Sequence, residues 1–474
     1  MGALGTGLRS LTRLHWRVWF LLATAIVVSV GAGLLLYLDR PLRSATGFIS
    51  RTLCSGVFVS GLSPDQVYTQ TLKPFAGIRD LDWAIRYEIS IDRHETKASL
   101  MGAFERRAVF AEGRGCTLLS GDDSASVRLP ERPPSGERVS APILPEIAGS
   151  AVVEPANELL RAALDRSFAE PDKTPHVQTA AVVVVHEGRV VAERYAPGYG
   201  IDTQIHGWSD TKSVTSALVG ILVRQGRLSV EGPAPVPQWR DPADPRHAIT
   251  VDMLLRMTSG LDLPETNRSY DAVSRMMMIE MDMAGFAERA SLASPPGKKW
   301  EYTSGNTMIL SRIVRDAVGG QARDVLAFVR RELFEPLGMR QVTLEFDATG
   351  TPVGGTYLYA SARDWARFGM LYLQDGVVGG HRILPKGWVR YSSAQTLDSP
   401  YAAGFWRGSS ALRARWRLPE DAFFASGLLG QRIMIIPSER LVIARFGNAH
   451  GPTNDLQGFA RLVADVRQTL AKTR

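Results

Sequence analysis

"GWSDTKSVTSALVGIL", Gly207 to Leu222, is the stretch on which the reading of the whole chain turns. Val214, Ala217, Leu218, Ile221 and Leu222 recur at i, i+3, i+4, i+7 and i+8, the apolar face of one helix. Ser209 stands at the N-cap of that helix and Gly226 at its end. Lys212 does not fit this structural reading. It lies one turn from Ser209 on the same side, at a helix start where a cation opposes the macrodipole. Stepping back three residues from each lysine of the chain, only Lys212 meets a serine. Chemistry gives that spacing a purpose. A serine hydroxyl becomes a nucleophile when a base takes its proton, and a lysine can be that base once burial lowers its pKa from about 10.4 toward 7–8.

Two further pieces complete such a centre, a proton relay and a strand that offers N–H groups to an oxyanion. In "PPGKKWEYTSGNTMILSRIV" a loop delivers Tyr302, Ser304 and Asn306 just before an apolar helix. In "FFASGLLGQRIMIIP" Ser426 and Gly427 open a strand, and a glycine there permits close backbone approach. Each alone reads as a packed tyrosine, a helix cap or a turn. Together they fall in the order of a known layout.

On these residues the chain resembles the serine β-lactamase and penicillin-binding-protein superfamily, and most closely its class C-like branch of 6-aminohexanoate-dimer hydrolases and family VIII esterases. Ser209-Asp210-Thr211-Lys212 matches S-x-x-K, Tyr302-Thr303-Ser304 matches Y-x-N/S, and Ala425-Ser426-Gly427 stands at the K-T-G strand. "ITVDMLLRMTSGLD", "LFEPLGM" and "YASARDWARFGMLYLQDG" look like the same branch, and the resemblance covers residues 151 to about 470. It implies an α+β fold of the β-lactamase/DD-peptidase type, an antiparallel sheet flanked by helices with an inserted helical subdomain. It implies Ser209 as nucleophile, Lys212 as base, Tyr302 as relay, and the N–H groups of Ser209 and Leu428 as oxyanion hole. Ser304 would adjoin Lys212, while Asn306, Ser426, Gly427 and Tyr270 would touch substrate, with "MMMIEMDM" lining the cleft or filling a helix core. Ala425 departs from the pattern, because penicillin-recognising members carry Lys or His there.

Before this domain the chain is different in kind. Val18 to Leu38 is apolar apart from Thr24 and Ser29, about the ~20 residues that span a bilayer, and Arg9, Arg13 and Arg17 precede it. The expectation is an uncleaved single-pass anchor in the inner membrane with everything after it on the periplasmic side; a cleaved signal peptide is the alternative. Cys54 and Cys116 are the only cysteines, and in an exported region the pair reads as a disulfide, with free thiols as the alternative. "DWAIRYEISID", "HETKASLMGA" and "ERRAVFAEGRGCTLL" read as three strands of a small meander. The expected organisation is therefore 1–40 anchor, 41–130 small β-rich unit with the Cys54–Cys116 disulfide, 131–150 linker, and 151–474 hydrolase domain.

At 474 residues and 45% hydrophobic the chain can bury large cores. The net charge of +7 is spread as single arginines, so no nucleic-acid partner is expected. There is no G-x-S-x-G elbow and no H-E-x-x-H or Cys/His cluster, so neither an α/β-hydrolase triad nor a metal or other cofactor is expected. The expected partner is a small amide or ester. Two other readings stay open: a non-catalytic sensor or binding module on the same fold, and a β-lactamase or D-aminopeptidase-type peptidase.

Overall fold

The computed structural model describes residues 7–119, 142–266 and 270–472, without the side chains of residues 7–18 and 26–36. The chain opens with α1 (Gly7–Cys54), whose C-terminal part buries Thr46, Ile49, Ser50, Leu53 and Cys54 at helical spacing. That face packs on an antiparallel meander of β1 (Ile85–Ser90), β2 (Glu95–Leu100), β3 (Ala103–Ala111) and β4 (Gly115–Leu119). The unit has four strands where the sequence suggests three. Gly113, at a φ of 78°, turns the chain inside "AEGRGCTL" and makes a hairpin of the third run. Cys54, at the end of α1, is joined to Cys116 in β4.

The elements that matter in the second unit are, in order, α2 (Glu158–Phe168), the hairpin β5 (Thr179–His186) and β6 (Arg189–Tyr195), and β7 (Ile205–His206). Then come α3 (Thr211–Arg224), α4 (Ala272–Met278), α5 (Ser304–Val318), β8 (Val342–Leu344), β9 (Leu358–Ala360) and α6 (Ala362–Leu373). A small hairpin, β10 (Val377–Val378) and β11 (His381–Arg382), precedes β12 (Phe423–Ser426), β13 (Arg432–Ile436), β14 (Leu441–Gly447) and α7 (Leu456–Lys472).

The central sheet runs β12-β13-β14-β5-β6, all antiparallel. Its strands are apolar on both faces because both are covered. Val182 and Val184 join Ile443 in a core with α2 and α7, whereas Val183 and Val185 face the helical side with Ala366 and Phe368 of α6. The expected α+β architecture, with a helical region between early and late strands, is present.

Two expectations need correction. Residues 131–141 of the expected linker lie outside the described residues, but 142–150 do not behave as a linker. The amides of Ile143 and Leu144 both donate to the Pro336 carbonyl, and Leu144 and Ile147 are buried in the main core. Pattern reading saw the prolines and missed the apolar residues between them. As for the anchor, residues 18–38 belong to α1, yet among the described residues no helix is long and apolar enough to cross a membrane.

The two units meet across a buried charge cluster. Arg51 Nε and Nη2 donate to Glu345 Oε2, both at 3.1 Å, with both side chains wholly buried. Ser55 Oγ (2.6 Å) and the Cys116 amide (2.9 Å) donate to Glu345 Oε1. The Arg51 guanidinium also lies over the Tyr357 ring, 3.7 Å from its centroid. Removing one partner of such a pair leaves the other buried and unpaired, which typically costs about 3–5 kcal/mol. Arg51→Met should therefore lower the denaturant midpoint strongly, and adding Glu345→Gln should recover part of the loss. A single-variant loss below about 1 kcal/mol would show that water reaches Glu345 in solution.

Candidate active site

α3 is buried all round from Thr211 to Leu222, not only along the apolar face seen in the sequence. Its polar side chains are satisfied by neighbouring loops. Ser213 Oγ donates to Gly404 O (2.6 Å), Thr215 Oγ1 to Gly354 O (2.8 Å) and Ser216 Oγ to Ala403 O (3.0 Å). Such a helix holds its first turn rigidly. Ser209 does not cap it: Ser209 lies in a short 3₁₀ turn, Trp208–Asp210, that runs into α3. Just before it Trp208 takes a φ of 48°, a conformation an aromatic residue rarely adopts. Its buried ring is held by His206, 4.2 Å away by centroids, and by Phe48 of α1 at 6.1 Å.

Lys212 is 3% exposed, and its ammonium has three acceptors. Nζ donates to Ser209 Oγ (2.9 Å), Ser304 Oγ (2.9 Å) and the Gly355 carbonyl (2.8 Å). Burial pushes the Lys212 amine down to about 8, against the carboxylates of Glu265 and Asp210, which favour its charged form. The same nitrogen lies 5.0 Å from the centroid of the Tyr302 ring. Burial, and after it Glu265 and Tyr401, raises the Tyr302 phenol well above its ordinary range, while an interaction with the Ser209 hydroxyl works the other way. Tyr302 is thus held as a protonated phenol.

The edge strand β12 ends against the Trp208–Asp210 turn. A Cβ on Gly427 would lie 2.3 Å from the Gly207 carbonyl and 3.1 Å from Trp208 Cβ, so only glycine fits. Leu428 follows at once and is part-exposed, as Ser209 is. Among the described residues neither the Ser209 amide nor the Leu428 amide has a hydrogen-bonding acceptor. Ser426 pairs with Arg432 at the same strand end, and Ala425 is buried in the sheet.

Ser209, Lys212, Tyr302, Ser304, Gly427 and Leu428 are therefore assembled around one point. Asn306 is not among them: its Oδ1 accepts from Ser259 Oγ at 2.7 Å, and it braces the 257–259 loop. Nor is Tyr270, whose phenol is influenced by Arg275 and by Arg40 of α1. Met276, Met277 and Met283 are core residues, so the methionine run fills α4 and its neighbourhood. Two residues along α5 from Ser304, on nearly the opposite side of the helix, a side chain already points elsewhere.

The structure adds residues that sequence reasoning passed over. Glu265 Oε2 accepts from the Ser304 amide (2.5 Å), and its charge acts on Lys212, Tyr302 and Tyr401. Asp210 is wholly buried, with no hydrogen-bonding partner among the described residues for either carboxylate oxygen, and burial pushes it up to about 8 against Arg432 and Lys212. Tyr401 and Trp406 pack on Tyr302 at 5.7 and 5.4 Å between centroids, and Trp300 packs on both, making an aromatic wall. Only Asp210, inside S-x-x-K, carried a signal in the sequence. Four histidines each bond a backbone carbonyl: His206 to Thr356, His247 to Trp239, His381 to Gly379, His450 to Gln70.

A serine, a buried lysine and a tyrosine at the foot of a buried helix, set against the edge of a five-stranded antiparallel sheet, define the hydrolase class built on the β-lactamase and penicillin-binding-protein fold. The Beta-lactamase family profile matches residues 164–468, and the chain belongs to that family. It is 26% identical over 317 residues to the 6-aminohexanoate-dimer hydrolase of Paenarthrobacter ureafaciens, covering 62% of this chain and 79% of the relative. Among solved structures it resembles a penicillin-binding protein homolog from Caulobacter crescentus, with TM-score 0.54, 19% identity, and coverage of 69% of this chain and 100% of that one. It also resembles a class C β-lactamase from Rhodobacter sphaeroides, with TM-score 0.51, 17% identity, and coverage of 66% and 100%.

The close approach at Gly427 yields a prediction. Gly427→Ala must part the strand end from the nucleophile turn, and a displacement of about 1 Å can cost a site on the order of 100-fold. Labelling by a fluorophosphonate should slow at least tenfold in a protein that still folds. Labelling at the wild-type rate would show that the strand end is not held against Ser209.

Proposed function

We propose that the protein is a serine hydrolase that cleaves neutral esters or amides through an acyl-enzyme on Ser209. The observation that carries this reading is Lys212 Nζ bridging Ser209 Oγ and Ser304 Oγ from a buried position. With a pKa near 8, about one Lys212 in ten is neutral at pH 7, against fewer than about one in a thousand for a free lysine. The neutral amine takes the Ser209 proton as Oγ attacks the carbonyl carbon. The amides of Ser209 and Leu428 receive the oxyanion, each such donor being worth about 3–4 kcal/mol in acyl transfer. Tyr302, a phenol at this pH, gives its proton to the departing alcohol or amine and is reprotonated from Lys212. Water then attacks the ester on Ser209 with the same groups acting in reverse, restoring the free serine and releasing the acid.

Substrate class follows from charge. Ala425 offers a buried methyl where penicillin-recognising enzymes place a cation, a charge-assisted contact typically worth about 1.5–3 kcal/mol. Glu265 adds negative charge on the Lys212 side, and the wall of Trp300, Tyr302, Tyr401 and Trp406 is apolar. Neutral acyl groups suit this site better than carboxylates. The relative named a 6-aminohexanoate-dimer hydrolase is in keeping with amide cleavage.

For location we propose an oxidising compartment outside the cytoplasm, supported by the Cys54–Cys116 disulfide. Alkylation of intact cells with and without reductant tests the compartment: thiols reactive only after reduction are expected, and two freely reactive cysteines would refute it.

Fluorophosphonate labelling followed by mass spectrometry tests the nucleophile. Ser209→Ala should abolish the adduct with little change in melting temperature, and an adduct on another serine would overturn the assignment. The acid limb of kcat/KM should lie near pH 8, since the reactive species is the neutral amine. Glu265 favours the charged form, so Glu265→Gln should move that limb to lower pH; movement to higher pH would contradict the arrangement. Wild-type kcat/KM for p-nitrophenyl butyrate should exceed that for nitrocefin, and the reverse order would require a cation in the cleft.

A further inference from the structure

Gly427 and Leu428 share one peptide unit, and its two ends have different neighbours. The Gly427 carbonyl accepts from Arg432 Nη1 at 2.7 Å, and the same nitrogen donates to the Gln431 carbonyl at 2.7 Å. Thr174–Pro175 is the only cis bond among the described residues, so the 427–428 peptide is trans. In a trans peptide the N–H points opposite to the carbonyl. Arg432 is therefore behind this unit, and the Leu428 N–H looks out on its other side.

Arg432 is placed at some cost. It lies on β13 inside the central sheet, 4% exposed, and burial draws its guanidinium down to about 10, with Asp210, in its ionised form, as the main group favouring the charge. Among the described residues its hydrogen bonds go to backbone carbonyls and none to a carboxylate, and its Nε has no partner. Two neutral carbonyls need no cation to satisfy them, and an uncharged side chain would avoid the desolvation. The charge has a consequence for the peptide it touches. A charge-assisted bond to the carbonyl fixes the orientation of the peptide and draws electron density toward oxygen, which makes the N–H at the other end a stronger donor.

We infer that Arg432 is a positioning residue for the acyl transfer, acting through the Gly427–Leu428 peptide to orient and strengthen the Leu428 N–H as the oxyanion donor. This rests on the reading of Ser209 as nucleophile. Positive charge absent from the cleft at Ala425 is supplied instead from behind the oxyanion hole. In that place it cannot grip a substrate carboxylate, and it acts on the charge that develops during attack. Its effect therefore falls on the transition state and not on ground-state binding.

The test compares the wild-type full chain with Arg432→Met, Arg432→Gln and Arg432→Lys. For each, kcat and KM for p-nitrophenyl butyrate are measured per active site titrated with fluorophosphonate, together with Ki for phenylboronic acid, which forms a tetrahedral anionic adduct on the serine. Arg432→Met is expected to lower kcat about 10- to 100-fold with KM within about threefold, short of the full loss of one donor. Boronate affinity should fall in step with kcat/KM. Arg432→Lys keeps the charge and should recover at least a third of the logarithmic loss. Where Arg432→Met does not fold, Arg432→Gln, which keeps an N–H donor without the charge, is read in the same way. Wild-type kcat per titrated site, unchanged boronate affinity, or a lysine variant as poor as the neutral ones would each overturn the inference. Ser209→Ala separates the two levels: if it keeps its activity, the nucleophile assignment fails first, whatever Arg432 does.

Discussion

The site depends on a buried ammonium that must never lack acceptors. Lys212 starts a helix whose macrodipole opposes it, in surroundings that exclude water, and three oxygens compensate: Ser209 Oγ, Ser304 Oγ and the Gly355 carbonyl. Each comes from a different part of the chain, the turn before α3, the start of α5 and the loop before β9. Bringing them to one nitrogen fixes how those elements pack. The residual imbalance between lost hydration and these three contacts lowers the pKa, so that the compensation which permits burial also sets the basicity.

The same logic reaches the N-terminal unit. Gly355 lies two residues before Tyr357, whose ring carries the Arg51 guanidinium, and Glu345, the partner of Arg51, donates its amide to the Tyr357 carbonyl at 2.9 Å. The Thr356 carbonyl between them bonds His206, which stacks on Trp208 beside the nucleophile. A disulfide-linked unit outside the family match thus abuts the segment that supplies the third acceptor of Lys212. The family domain is braced by one charge it does not itself contain, that of Arg51.

What could be read from the sequence was what depends on chain spacing. Ser209 and Lys212 meet because three residues make nearly one helical turn. Gly427 signalled close backbone approach, which its contact with Gly207 explains. What could not be read depends on side-chain direction and on partners distant in sequence. Asn306 follows Ser304 by two positions on α5 and points to Ser259. The charges that act on Tyr270 are those of Arg275, Arg40 and Glu280, not those around Lys212. Glu265 sits in a polar loop with no pattern of its own, and Arg432 looks like any charged residue at a strand start until the Gly427 carbonyl is seen against it. The polar side chains of α3 carried no signal of their burial, since its four hydroxyl side chains find their partners some 140 to 190 residues away.

The most direct measurement is the titration of Lys212 itself. Lysines are scarce in this chain, so with ¹³Cε-labelled lysine their NMR signals can be followed one by one against pH, and Lys212→Arg identifies the signal that disappears. A buried base of the kind described gives a Lys212 signal titrating near 8, against about 10.4 for a free lysine in water. A Lys212 signal titrating at about 10 or above would mean that the amine is solvated in the folded protein, and the base assignment would fall.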